Sequence, residues 1–229
     1  MHNARILAEA GLPGPDPVGP ARGRFVAWRR SPGKPGPLLL GGPEGSRLAY
    51  EMGRLARALG QLSSSSLTVD SAWGTAADLR RAASGWLDRL VAQEPEIHAR
   101  RDAIRLCVER VCRASWSPRP THGDFVPANV LVRAGRIEAL LDVTELALRH
   151  PEVDLAWWEL VVGFHHPADV ARLARSFRRG HALGGNDMDV QRLRDLAVVR
   201  ALQLVPPDGT SGRTHAVALL CAASDAHGM

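Results

Sequence analysis

The chain has 229 residues, 45% of them hydrophobic, which is enough to bury one sizeable core without disulfides. Its three cysteines, Cys107, Cys112 and Cys221, are an odd set that argues against a disulfide framework and reads as buried free thiols. The formal charge of +5 comes almost wholly from scattered arginines, Lys34 being the only lysine; without aromatic interleaving this is a solvated basic surface, not a nucleic-acid stripe.

Residues 1–45 are dense in proline and glycine. "GLPGPDPVGP" and "SPGKPGPLLLGGP" bracket one strand-like piece, Arg24–Trp28, and predict an extended linker with one or two strands, too broken for a helical domain. Lys34 falls in a loop there, not in a strand. From Ser46 the pattern changes: Leu48, Met52, Leu55, Leu59 and Leu62 recur at helical spacing and predict a helix that ends before the serine run at Ser63–Ser66. Further helices are expected over Ala76–Ala92 and Glu96–Arg113, their apolar stripes forming core.

Pro118 and Pro120 stop helical structure. "NVLV", the turn "RAGR" with Gly135, and "IEALLD" then read as a short β-hairpin. Helices return at Val153–Phe164, at Pro167–Arg179 closed by Gly180, at Asp187–Leu204 and at Thr214–Ala223. The longest apolar run, around Leu155 to Phe164, is about half the length a bilayer crossing needs, and no N-terminal run resembles a signal peptide, so a cytoplasmic protein without membrane contact is expected.

The polar groups that stand out are in "THGDFVPANVLV", residues 121–132. Pairing of the hairpin strands brings Asn129, before the first strand, to the same end as Asp142, after the second, with Asp124 beside them. An oxygen-only set of one amide and one carboxylate suits Mg²⁺, which keeps waters and takes its other ligands from substrate phosphates. A further loop carboxylate can orient a substrate hydroxyl and accept its proton. Each residue has a plainer reading too, as a turn cap or strand-end residue. His165 and His166 are adjacent, so their rings diverge and suggest no zinc site. No Gly-x-Ser-x-Gly elbow supports a serine hydrolase.

"HGDFVPANVLV" followed by "IEALLDVTELALRHPEVDLAWW" resembles the aminoglycoside phosphotransferase and choline kinase group of small-molecule kinases, whose pattern is His-Gly-Asp, four residues, Asn, a hairpin, an Asp, then Asp-Leu-Ala. The resemblance implies an α+β, mostly α, fold: a kinase-like large helical lobe with a short catalytic hairpin over 46–229, and a remnant of the small lobe and hinge over 1–45. It implies that Asp124 is the catalytic aspartate, with His122 a scaffold residue of the same catalytic loop, that Asn129 and Asp142 are the magnesium ligands, and that Asp154 is the buried acid that hydrogen-bonds the loop backbone. Phe25, Val26, Ala27 and Trp28 would be the hinge strand facing the base of ATP or GTP, and the acceptor would be a small-molecule hydroxyl. The family's glycine-rich phosphate cover and strand lysine are not found, so the chain reads as starting late, and a catalytically inactive, kinase-like binding protein is the alternative. Trp157 and Trp158 are expected in the core. Asp187 and Asp189 would meet a cationic acceptor or, as preferred, cap the helix that follows.

Overall fold

A computed structural model describes residues 2–18, 28–182, 189–207 and 210–225. The architecture is α+β and mostly α. The N-terminal helix α1 (His2–Glu9), a two-residue strand β1 (Lys34–Pro35) and a short helix α2 (Pro37–Leu40) precede α3 (Gly45–Leu59) and α4 (Ala76–Val91). Then come α5 (Pro95–Ala99), α6 (Arg101–Val111), β2 (Arg119–Thr121), the hairpin β3 (Val130–Arg133) and β4 (Arg136–Leu140), and β5 (Ala147–Arg149). Helices α7 (Val153–His165), α8 (Val170–His181), α9 (Val190–Leu204) and α10 (Arg213–Asp225) complete the chain.

The helical periodicity finds its partners as expected. Leu48, Met52, Leu55 and Leu59 of α3 are buried, and α3 packs against α8, whose Leu173 and Phe177 are buried too. The axes come close because glycines face the contact: a Cβ on Gly53 would lie 2.0 Å from the Phe177 carbonyl oxygen, and one on Gly180 would lie 2.0 Å from that of Tyr50. Gly180 therefore packs within α8 and does not close it; the helix runs on to His181 and stops at Ala182, whose φ is 61°. Helix α9 is buried almost all round, between α4, α6, α7 and α10. Its buried Asp195 is tolerated because Arg110 of α6 donates to both carboxylate oxygens, at 2.7 and 2.6 Å. The three cysteines are buried and free. Among the described residues no helix is long and apolar enough to cross a membrane.

Four further sequence expectations are corrected. Residues 2–9 form a helix, not extended chain; Ala4, Ile6 and Leu7 are buried, and Asn3 Nδ2 donates to the Val143 carbonyl at 2.8 Å. Lys34 lies in a strand after all, paired antiparallel with Val132, because β3 offers an open edge that Gly33 and Gly36 can approach closely. The helix expected over 96–113 breaks at Arg100, which turns to pair with Asp225 of α10. The helix expected from Pro167 begins at Val170.

Two small antiparallel sheets bracket the segment 122–129. In the first, of order β1-β3-β4, Val130 pairs with Leu140 and Arg133 with Arg136, closing a two-residue turn at Ala134 and Gly135, both at positive φ as a twist-compatible tight hairpin requires. The second pairs β2 with β5, Thr121 opposite Ala147. The loop 122–129 thus leaves one sheet and enters the other, and the segment 141–146 returns beside it.

Candidate active site

The loop 122–129 is held from beneath by one carboxylate. Asp154, in the first turn of α7 and 5% exposed, accepts the His122 backbone N–H at 2.7 Å on Oδ2 and that of Gly123 at 2.9 Å on Oδ1. Charge-assisted bonds of this kind are about twice as strong as neutral ones. Gly123 sits at φ +90°, and a Cβ there would meet the Arg149 guanidinium at 2.7 Å, so only glycine fits. The carbonyl of Gly123 accepts Arg200 Nε at 2.9 Å.

His122 is fully buried, and its Nε2 lies 2.9 Å from the Leu141 carbonyl oxygen. A carbonyl only accepts, so Nε2 carries the proton. The imidazole links this loop to the residue preceding Asp142.

Two buried arginines lie behind the loop. Arg149 donates to Asp70 at 2.7 Å and to the Glu145 carbonyl at 2.7 Å. Arg200, 1% exposed, has its pKa pushed down to about 10, first by burial and then by the neighbouring Arg149 cation, while Asp154 and Asp124 act the other way. It remains charged at neutral pH, and the loop's carboxylates are its counter-charge.

Asp124, Asn129 and Asp142 come to one end of the hairpin. Asn129 Nδ2 donates to both the backbone oxygen and Oδ2 of Asp124, at 2.8 and 2.9 Å. That leaves the Asn129 side-chain oxygen without a protein donor among the described residues. The backbone oxygen of Asn129 accepts from Leu141 N at 2.7 Å, extending the ladder one step and setting Asp142 beside it. Asp142 is exposed and left-handed, with φ 49° and ψ 51°; its Oδ1 accepts the Thr144 hydroxyl at 2.7 Å. A conformation this uncommon for a non-glycine residue points the carboxylate out of the strand line. Among the described residues no group of three His, Cys, Asp or Glu could hold a metal ion; the donor set here is a free amide oxygen and an exposed carboxylate, which fits a hard, partly hydrated cation.

One contact of the Asp124 carboxylate was not visible from the sequence. Trp157 is buried as expected, but its indole N–H donates to Asp124 Oδ1 at 2.8 Å, so both oxygens of that carboxylate are fixed by side chains. A polar handle on a buried indole normally finds a partner, and Trp157 lies three residues after Asp154, on the loop-facing side of α7. Trp157→Phe is expected to keep the packing and lose the hydrogen bond, lowering any turnover that depends on the Asp124 carboxylate about tenfold, equivalent to about 1.4 kcal/mol. Steady-state kinetics would check it.

Phe25, Val26 and Ala27, expected to form a hinge strand, lie outside the described residues, as does Asp187. Trp28 is described: it bridges to Pro17, stands 43% exposed and is followed by Arg29, which pairs with Asp16 at 2.7 Å. Trp28 and Arg30 form one wall of a cleft of ≈ 870 Å³ whose other walls are Leu131, Leu141, Asp142 and Thr144. Asp189 caps α9, accepting Arg192 N at 3.0 Å.

A family model described as the phosphotransferase enzyme family matches residues 1–202. No curated protein matches the sequence. Among solved structures, the GDP and kanamycin complex of APH(2")-IIia is similar with a TM-score of 0.71 at 14% identity, over 98% of this chain and 80% of that one. A thermostable mutant of aminoglycoside phosphotransferase APH(4)-Ia, with ADP and hygromycin B, gives 0.69 at 19% identity over 98% and 80%. Macrolide 2'-phosphotransferase MphH from Brachybacterium faecium gives 0.62 at 22% over 96% and 77%. At these identities the likeness is one of fold, and it makes the α+β architecture a kinase-like one.

Proposed function

Since the chain belongs to the phosphotransferase enzyme family, we propose that it transfers the terminal phosphate of ATP or GTP to a hydroxyl of a small molecule in the cytoplasm, with Mg²⁺ as cofactor. The observation that carries this reading is the convergence of Asp124, Asn129 and Asp142 at one end of the hairpin, with Asp142 opening on the cleft that Trp28 walls.

In this reading residues 1–45 supply the hinge side of the nucleotide site and residues 46–229 the phosphotransferase lobe. Trp28 holds the base against the apolar floor of Leu131 and Leu141. Asn129 and Asp142 would hold Mg²⁺, which supplies neutralisation of phosphate charge when bound. Asp124, its carboxylate fixed by Asn129 and Trp157, orients the acceptor hydroxyl and takes its proton. His122 and Asp154 keep the loop in place without touching substrate. The solved relatives bound to ADP with hygromycin B, or to GDP with kanamycin, support a nucleotide donor and a hydroxyl-bearing acceptor.

Thermal denaturation tests the donor side. A ligand present at a hundred times its Kd stabilises by about 2.7 kcal/mol, which for a chain of this size is a rise in Tm of roughly 5–10 °C. Millimolar ATP or GTP with Mg²⁺ is expected to give that rise, and chelation of the metal to remove most of it. No rise with either nucleotide would count against the proposal; a rise without phosphate transfer to any hydroxyl acceptor would favour a kinase-like binding protein.

A further inference from the structure

Helices α7, α8, α9 and α10 line a second cavity of ≈ 840 Å³, open to solvent on one side, which shares no lining residue with the cleft proposed for nucleotide. It exists because small residues, among them Ala156, Gly163, Ala174, Ala197 and Ala223, stand where four helices converge. Its interior is apolar, with Leu160 and Leu193. At its rim Phe164 and Val190 remain 38% and 43% exposed, so two large apolar side chains adjoin the apolar interior at its mouth.

The rim charge is one-sided. Arg175, Arg178 and Arg179 come from α8 and Arg194 from α9, against a single acid, Glu159. Glu159 is already taken, receiving Arg178 Nε and Nη2 at 2.6 and 2.5 Å, and Arg179 lies over the Tyr50 ring at 5.3 Å. Arg175 and Arg194 are exposed and have no ion pair or hydrogen bond among the described residues. The helix dipole accounts for Arg178 and Arg179 in the last turn of α8. It accounts for neither Arg175, in mid-helix, nor Arg194, near the N-terminal end of α9, where a cation gains nothing from the dipole.

We propose that this cavity binds an amphipathic organic anion. Arg175 and Arg194 hold its carboxylate, sulfate or phosphate group at the rim, and its apolar chain or ring lies against Leu160 and Phe164. Guanidinium groups suit such headgroups because they present paired, planar donors. The site is separate from the one proposed for nucleotide, with which it shares no lining residue.

The probe is 8-anilinonaphthalene-1-sulfonate, titrated into the full chain and followed by fluorescence. Saturable binding is expected, displaced by dodecanoate below its micelle concentration and not by dodecyltrimethylammonium. The variant R175E/R194E is expected to bind about tenfold more weakly, the size of effect that lost charge complementarity carries. R89E/R105E, with the same change of net charge at exposed arginines elsewhere, is expected to bind as the parent does, and Mg²⁺ with nucleotide is expected not to compete. Equal loss in both variants, equal competition by the cationic detergent, or displacement by nucleotide would each overturn the assignment. None of these readouts depends on phosphate transfer, so the proposal can fail while the phosphotransferase reading stands, and the reverse.

Discussion

Replacing Asp124 by asparagine is expected to slow phosphate transfer by about 10²–10⁴-fold, the usual contribution of a positioned general base, while nucleotide binding and Tm stay near those of the parent. The substitution is close to isosteric. Its amide oxygen can still accept from Asn129 Nδ2 or Trp157 Nε1, which now bind the two carboxylate oxygens at 2.9 and 2.8 Å. What is lost is the negative charge that, in the proposed reaction, would draw the proton from an acceptor hydroxyl. Transfer from radiolabelled nucleotide to a panel of aminoglycosides and macrolides reads this directly. An asparagine variant as fast as the parent would remove Asp124 from the chemistry, and one that loses nucleotide affinity in proportion to rate would make it a binding residue instead.

The largest expected loss of stability comes from Asp154→Ala. Two buried backbone N–H groups, of His122 and Gly123, lose their only acceptor among the described residues, at a cost of roughly 1–3 kcal/mol each. Arg200, fully buried and bonded to the Gly123 carbonyl, loses a counter-charge at the same time. Together these give about 2–6 kcal/mol, or a fall in Tm of roughly 5–20 °C for a chain of this length. Asp154→Asn keeps one acceptor oxygen and should fall between the two. Thermal or urea denaturation decides: a Tm within about 2 °C of the parent in the alanine variant would mean that the loop is held by something other than this carboxylate.

Much of this arrangement could be read before any coordinates, for physical reasons. The apolar stripe of α3 and the two-residue turn at Ala134 and Gly135 are local signals, since helical period and turn chemistry are properties of neighbouring residues. The motif around Asp124 carries its meaning in spacing along the chain, and the hairpin register does the rest. What stayed hidden depends on tertiary partners. Trp157 looks like any core tryptophan until Asp124 is placed above it. Arg149 and Arg200 look like two more surface arginines in a chain full of them, although both are at most 3% exposed. Helix α1 was obscured by the prolines and glycines that come after it, and Lys34–Pro35 becomes a strand only because β3 lends it an edge. Gly180 read as a helix stop because glycine is common there; here it is needed for close approach to Tyr50.

The central claim is that Asp142 holds a divalent cation, and Asp142→Asn tests it with the least disturbance. Asparagine tolerates the left-handed backbone that residue 142 adopts and keeps one oxygen for Thr144, so only the charge is removed. Mn²⁺, which shares the oxygen preference of Mg²⁺, can be titrated by electron paramagnetic resonance in the presence of ATP or GTP. The variant is expected to hold the ion about tenfold or more weakly than the parent, with Tm in the absence of metal unchanged. Equal affinity in the two proteins would contradict the account.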